Sequence, residues 1–148
     1  MFTVYSQPTV ASQRGFSLME LMIVLVILGL IAGIVAPQAM KTLGKGKSQS
    51  AKVQIENISA ALEMYRLEVG RYPTTAEGLK ALVAAPSGAR GWNGPYLKKG
   101  LPIDPWNNEY QYKSSGASAD EPYDVVSLGA DAAVGGEGEN ADISVWKK

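Results

Sequence analysis

The residues of this chain able to do chemistry are few. Among its 148 residues there is no Cys and no His. That removes thiolate nucleophiles, disulfides, Cys-based zinc sites, the commonest general base and the commonest metal ligand. A bound metal would need oxygen donors, which points to a hard cation such as calcium or magnesium. Two placements of carboxylate stand out. Glu20 is the sole charge between Phe16 and Ala36. Asp131 and Asp142 flank a glycine-rich run and occupy positions 1 and 12 of a 12-residue stretch with Gly136 at position 6. Glycines let backbone carbonyls turn inward toward a cation. Yet positions 3 and 5 are Ala133 and Gly135 and position 12 is not Glu, a poor match to an EF-hand. A solvated acidic turn is the alternative. An enzyme reading would use carboxylates such as Asp104, Asp124 and Asp131. No nucleophile–base arrangement accompanies them, so the chain is read as non-enzymatic.

These residues sit on unequal halves. Fourteen Lys and Arg balance fourteen Asp and Glu, which excludes a global cationic field for nucleic acid. The length allows one ordinary domain. Residues 1–15 are polar and form no unit of their own. Residues 16–36, FSLMELMIVLVILGLIAGIVA, are long and apolar enough for a bilayer core of about 30 Å. A secretory signal peptide would have a shorter apolar run, a basic start and no internal acid. Gly29 and Gly33 form a small-xxx-small pair that permits close helix approach, though glycine is also common in membrane helices. Pro37 predicts a kink or break near residues 33–37.

Beyond it, Ile55, Ile58, Leu62, Tyr65 and Val69 recur at spacings of three and four, an amphipathic helix stopped by Gly70. The first half therefore reads as one long helix, and residues 37–148 as a globular domain including its amphipathic part. Thr74 and Glu77 form a capping box ahead of a short helix burying Leu79, Leu82 and Val83. Residues 87–108 are turn-rich, with Trp92, Tyr96, Leu101 and Trp106 as anchors. Strands are predicted at 110–113, 123–128 and 143–146. The fold class is α+β, a long helix packed on a small domain with a short helix and a small antiparallel sheet. Lys41, Lys45, Lys47 and Lys52 follow the apolar run as a solvated or headgroup-facing set; the positive-inside rule alone would put them in the cytoplasm.

The string Gly15-Phe16-Ser17-Leu18-Met19-Glu20, the apolar run and Pro37 resemble the type IV pilin superfamily. Leu62-Glu63-Met64-Tyr65, Arg71-Tyr72-Pro73-Thr74-Thr75, Glu77-Gly78-Leu79, Tyr96-Leu97-Lys98-Lys99, Leu101-Pro102, Asp104-Pro105-Trp106 and Ser127-Leu128-Gly129-Ala130-Asp131 narrow the resemblance to the major pseudopilins of type II secretion systems, general secretion pathway protein G. That family often has Gly after the Leu-Gly-Ala-Asp motif, where this chain has Ala132.

The resemblance implies a pilin-like fold and a leader, residues 1–15, cut by a prepilin peptidase between Gly15 and Phe16, with methylation of Phe16. It implies a single-pass inner-membrane protein whose domain lies in the periplasm, overriding the lysine count. It implies a homo-oligomeric helical filament, assembled with minor pseudopilins and an inner-membrane platform, that drives folded proteins out of the periplasm. A surface-fibre type IV pilin is the alternative, although many such pilins carry a C-terminal cysteine pair that this chain lacks. Cleavage would create an α-amine on Phe16, one helical turn from Glu20. An ion pair at about 4 Å and an effective dielectric near 20 attracts by about 4 kcal/mol before desolvation. A headgroup-level acid near the helix end would need no partner; a paired one could meet the chain's own amine or a neighbour's, and the resemblance implies the neighbour's. It further implies structural calcium in the C-terminal loop, with side chains from Asp131 and Asp142 and the Leu128 carbonyl as ligands. Asn140 and a carbonyl near Val134 are further candidates.

Overall fold

The computed structural model describes residues 15–115 and 120–147. The leader expected at 1–15 lies outside the described residues except for Gly15. The chain divides into two compact units, one ending at Ala39 and the other beginning at Met40.

One helix, α1, runs Leu18–Val69 over 52 residues. In the first unit, a membrane-length apolar stretch of it has no buried residue. Ser17 starts the helix: its Oγ accepts the Met19 N–H at 3.2 Å, satisfying one of the orphan donors of the first turn. Of the kink or break expected at Pro37, the break does not occur: the helix continues through it. Proline removes one ladder hydrogen bond, and the bonds on either side suffice to carry a helix across that gap.

In the second unit α1 is amphipathic. Ala51, Ile55, Ile58, Ala61, Leu62 and Tyr65 are buried on one face. Helical spacing puts them in a single stripe, and burial of its Ile and Leu side chains stabilises by about 1.5–3 kcal/mol each. The helix ends before Gly70, whose φ of 84° suits the left-handed position after a helix C-terminus.

Thr74 and Glu77 make both hydrogen bonds of the expected box: Glu77 Oε2 accepts the Thr74 N–H at 2.7 Å, and Thr74 Oγ1 accepts the Glu77 N–H at 3.2 Å. They close a turn rather than open an α-helix. The short helix that follows is a 3-10 helix, Leu79–Leu82, as suits a four-residue segment. It buries Leu79, Ala81 and Leu82, while Val83 is only half-buried. Trp92, Tyr96 and Trp106 pack against the core as expected. Leu101 is exposed instead, at the surface of the turn it was expected to anchor.

Three antiparallel strands follow: β1 at Gln111–Ser114, β2 at Tyr123–Ser127 and β3 at Ile143–Ser144, in the order β1-β2-β3. Tyr112 faces Val125 across β1 and β2, and Ser127 faces Ile143 across β2 and β3. Alternation in β2 puts Tyr123, Val125 and Ser127 inside and Asp124 and Val126 toward the surface. The sheet contributes Tyr112, Tyr123, Val125 and Ile143 to the same core as the α1 stripe.

Candidate functional site

Two regions carry the residues singled out by sequence. The first is the start of α1. Phe16 is 81% exposed and lies ahead of the helix, since Ser17 caps it. The expected one-turn relation to Glu20 is therefore not helical at Phe16 in this conformation. Glu20 is exposed in the first turn of α1, where the partial positive charge of the helix N-terminus favours a carboxylate. Ser17-Leu18-Met19-Glu20 also reads as a capping-box sequence, a local signal not drawn from the sequence above. That local role accounts for an acid here, but not for sixteen further uncharged residues to Ala36.

The second region is the loop from β2 to β3. Gly129 has φ 68°, and a Cβ there would come within 2.6 Å of the Glu139 carbonyl oxygen, so only glycine fits the neck of the loop. Asp131 is exposed, and its Oδ1 accepts the Ala133 N–H at 3.1 Å. Ala132 adopts φ 53°, a left-handed conformation at the position where the resembled family often has Gly. Asp142 is half-buried. Its Oδ2 accepts the Gly135 N–H at 2.8 Å, while its Oδ1 is buried with no hydrogen-bond partner.

A cavity of 170 Å³ is lined by Leu128, Val134 and Asp142 together with Asp124. So three of the sequence-predicted positions share one cavity. Asp131 and Asn140 do not line it. Asp124 does, although β-alternation alone reads it as an outward residue. Its Oδ1 accepts the Ser144 hydroxyl at 2.7 Å. Among the described residues no cluster of three acidic side chains is assembled as a metal site. The orphaned Asp142 oxygen nonetheless suits a hard, oxygen-seeking cation.

Of the carboxylates considered for catalysis, Asp104 has both oxygens engaged. Asp104 is buried, and its oxygens accept two backbone N–H groups and the Ser127 hydroxyl. Buried and committed to shaping its own turn, it serves structure.

Comparison with known proteins gives the same direction. The family model described as "Type II secretion system (T2SS), protein G" matches residues 38–146, and one described as "Prokaryotic N-terminal methylation motif" matches residues 10–36. The chain is 48% identical over 138 residues to the type II secretion system core protein G of Pseudomonas aeruginosa, covering 90% of this chain and 95% of that protein. It is 45% identical over 137 residues to the core protein G of Vibrio cholerae, covering 90% and 92%. Its fold is similar, at a TM-score of 0.61 and 34% identity, to the crystal structure of the major pseudopilin from the type 2 secretion system of enterohaemorrhagic Escherichia coli, covering 72% of this chain and 92% of that one. An N-terminal methylation motif that takes in the exposed apolar stretch is thus followed by a protein G domain, and the chain belongs to the type II secretion system protein G family, the major pseudopilins.

Proposed function

We propose that this chain, a structural and non-enzymatic pseudopilus subunit, works by polymerising through α1 into a homo-oligomeric helical filament. Its N-terminal helix spans the inner membrane, and its globular domain lies in the periplasm. The observation that carries the mechanism is the apolar stretch of α1, none of it buried, interrupted by a single charge at Glu20. Such a surface is stable in lipid, and equally stable against other copies of itself once drawn out. An unpaired carboxylate costs about 2.5–3.5 kcal/mol at the centre of a membrane helix and less near its end, so Glu20, in the first turn, gains most where it is drawn deeper and meets a cation. We assign that cation to the methylated α-amine of Phe16 on a neighbouring subunit, exposed after cleavage behind Gly15. The pair would fix axial register. Prepilin peptidase, minor pseudopilins and the inner-membrane assembly platform are the partners this requires.

Calcium is the second part of the proposal. Asp142 would bind through its unpartnered Oδ1, with the Leu128 carbonyl, Asp131 and Asn140 as further ligands. Asp124, which lines the same cavity, joins the candidates. When bound, calcium supplies a dication on which these oxygens converge, closing the loop in a domain that has no disulfide.

Deletion of the gene tests the functional reading. Loss of export of folded periplasmic proteins, restored by the intact gene, is the expected result. Normal export with loss of surface fibres or twitching would point instead to a type IV pilus.

A further inference from the structure

A short turn far from the loop in sequence holds both of the loop's ends. Residues 104–108 precede β1. Asp104 Oδ1 accepts the N–H groups of Trp106 at 3.0 Å and Asn108 at 2.7 Å, which shapes the turn. Its Oδ2 accepts the Ser127 hydroxyl at 2.6 Å, and Ser127 Oγ in turn accepts the Gly129 N–H at 3.3 Å. Asn108 Nδ2 donates to the Gly129 carbonyl at 3.0 Å. On the returning side, the Trp106 indole N–H reaches Glu139 Oε2 at 3.4 Å, and the Glu139 carbonyl accepts the Ala130 N–H at 2.9 Å.

The backbone of Gly129 is therefore held on both of its polar atoms, and the next N–H is held as well. Leu128, just before it, and Asp131, two residues after it, are the proposed ligands at the loop entrance. Asn108 also occupies the Gly129 carbonyl, so that oxygen is taken by the protein. All these bonds are made by the chain's own groups. A loop fixed in this way loses less conformational freedom when a cation arrives.

We propose that Asp104 and Asn108 are positioning residues for the C-terminal cation loop, setting its neck before calcium binds while contributing no ligand themselves. This rests on the calcium reading above. Groups that orient ligands without touching the metal are worth about 10–100-fold in metal affinity.

The test uses the full chain in detergent micelles, as wild type, Asn108→Ala, Asp104→Asn, Asp104→Ala and Asp142→Asn. Amide hydrogen exchange at Gly129 and Ala130 is followed in chelator, and calcium affinity is measured by titration calorimetry. Both amides are expected to be protected in calcium-free wild type. Asn108→Ala should accelerate their exchange and weaken calcium binding about tenfold. Asp104→Asn keeps the acceptor for the Trp106 and Asn108 amides and should fall between wild type and Asp104→Ala. Unprotected amides in calcium-free wild type would overturn the assignment. So would calcium affinity unchanged by Asn108→Ala but lost in Asp142→Asn. No calcium binding by wild type would overturn the calcium reading and this assignment together.

Discussion

The hydroxyl of Tyr123 on β2 and the hydroxyl of Ser59 on α1 lie 2.5 Å apart, joining sheet to helix across 64 residues of sequence. The contact is one of a set along α1. Tyr72 donates to Glu63, Tyr96 to Glu68 and Tyr110 to Gln54, at 2.7, 2.5 and 2.8 Å. Each tyrosine buries ring surface in or against the core and spends its hydroxyl on the helix flank.

Tyr123→Phe keeps the ring and deletes the bond. The expected loss is about 1 kcal/mol, the usual net value of such a hydrogen bond. For a domain of this size that is a fall of about 4 °C in Tm. Ser59→Ala should cost a similar amount, and the double variant less than the sum, because the two side chains share one bond. Additive losses would show that the contact contributes nothing.

Arg71 and Glu77 form a two-pronged pair, both bonds at 2.7 Å. The Arg71 hydrogen bonds, helped by the Thr74 N–H, hold the Glu77 carboxyl down to about 2 from its ordinary 4.5, against the opposing effect of burial. A depressed carboxylate pKa gives stability that is present in full above 4.5 and is lost as pH falls toward 2. Glu77→Gln should therefore lower Tm at neutral pH by an amount that shrinks through that window. A difference between the two proteins that stays constant down to about pH 2 would contradict the assignment.

Ala132 sits at φ 53° in the exposed C-terminal loop. A left-handed residue bearing a Cβ costs about 1–2 kcal/mol, while glycine adds entropy to the unfolded chain of about 0.4–1 kcal/mol. Ala132→Gly should accordingly raise stability by about 0.5 kcal/mol. A decrease measured by chemical denaturation would show that Ala132 makes a contact outweighing its backbone strain.

Calcium at 100-fold excess over Kd should stabilise the folded chain by about 2.7 kcal/mol relative to chelator. Asp142→Asn and Asp131→Ala should each abolish most of that shift. Asp142 is the stricter case, because its Oδ1 has no protein partner to lose. If Asp124→Asn removes the shift while Asp131→Ala leaves it, the ligand set follows the cavity and not the family pattern.

Much of this architecture is legible in the sequence, because its signals are local and periodic. The stripe from Ile55 to Tyr65 is buried as its spacing dictates, and Gly70 follows the end of α1. The three strands appear in the predicted places, each differing by one or two residues at its ends, where register and not propensity decides. At Pro37 the break, one of the two expected outcomes, fails because one absent hydrogen bond does not end a helix with a full ladder around it. The Asp104 network and the tyrosine–helix bonds are invisible beforehand. Their partners are brought together by tertiary folding, and nothing in a window of ten residues marks Asp104 as the partner of Ser127. Asp124 is missed for a related reason, since strand alternation gives its face but not the loop that folds over it.

The most direct test of the central claim is pseudopilus formation by Glu20→Gln, a change that removes the charge and keeps the shape. The reading predicts protein that inserts in the membrane and is cut to begin at methylated Phe16, shown by intact mass and N-terminal sequencing, yet forms few or no filaments by electron microscopy. Filaments of normal number and length built from the Gln variant would contradict the claim that Glu20 sets subunit register by pairing with a neighbour's N-terminal amine.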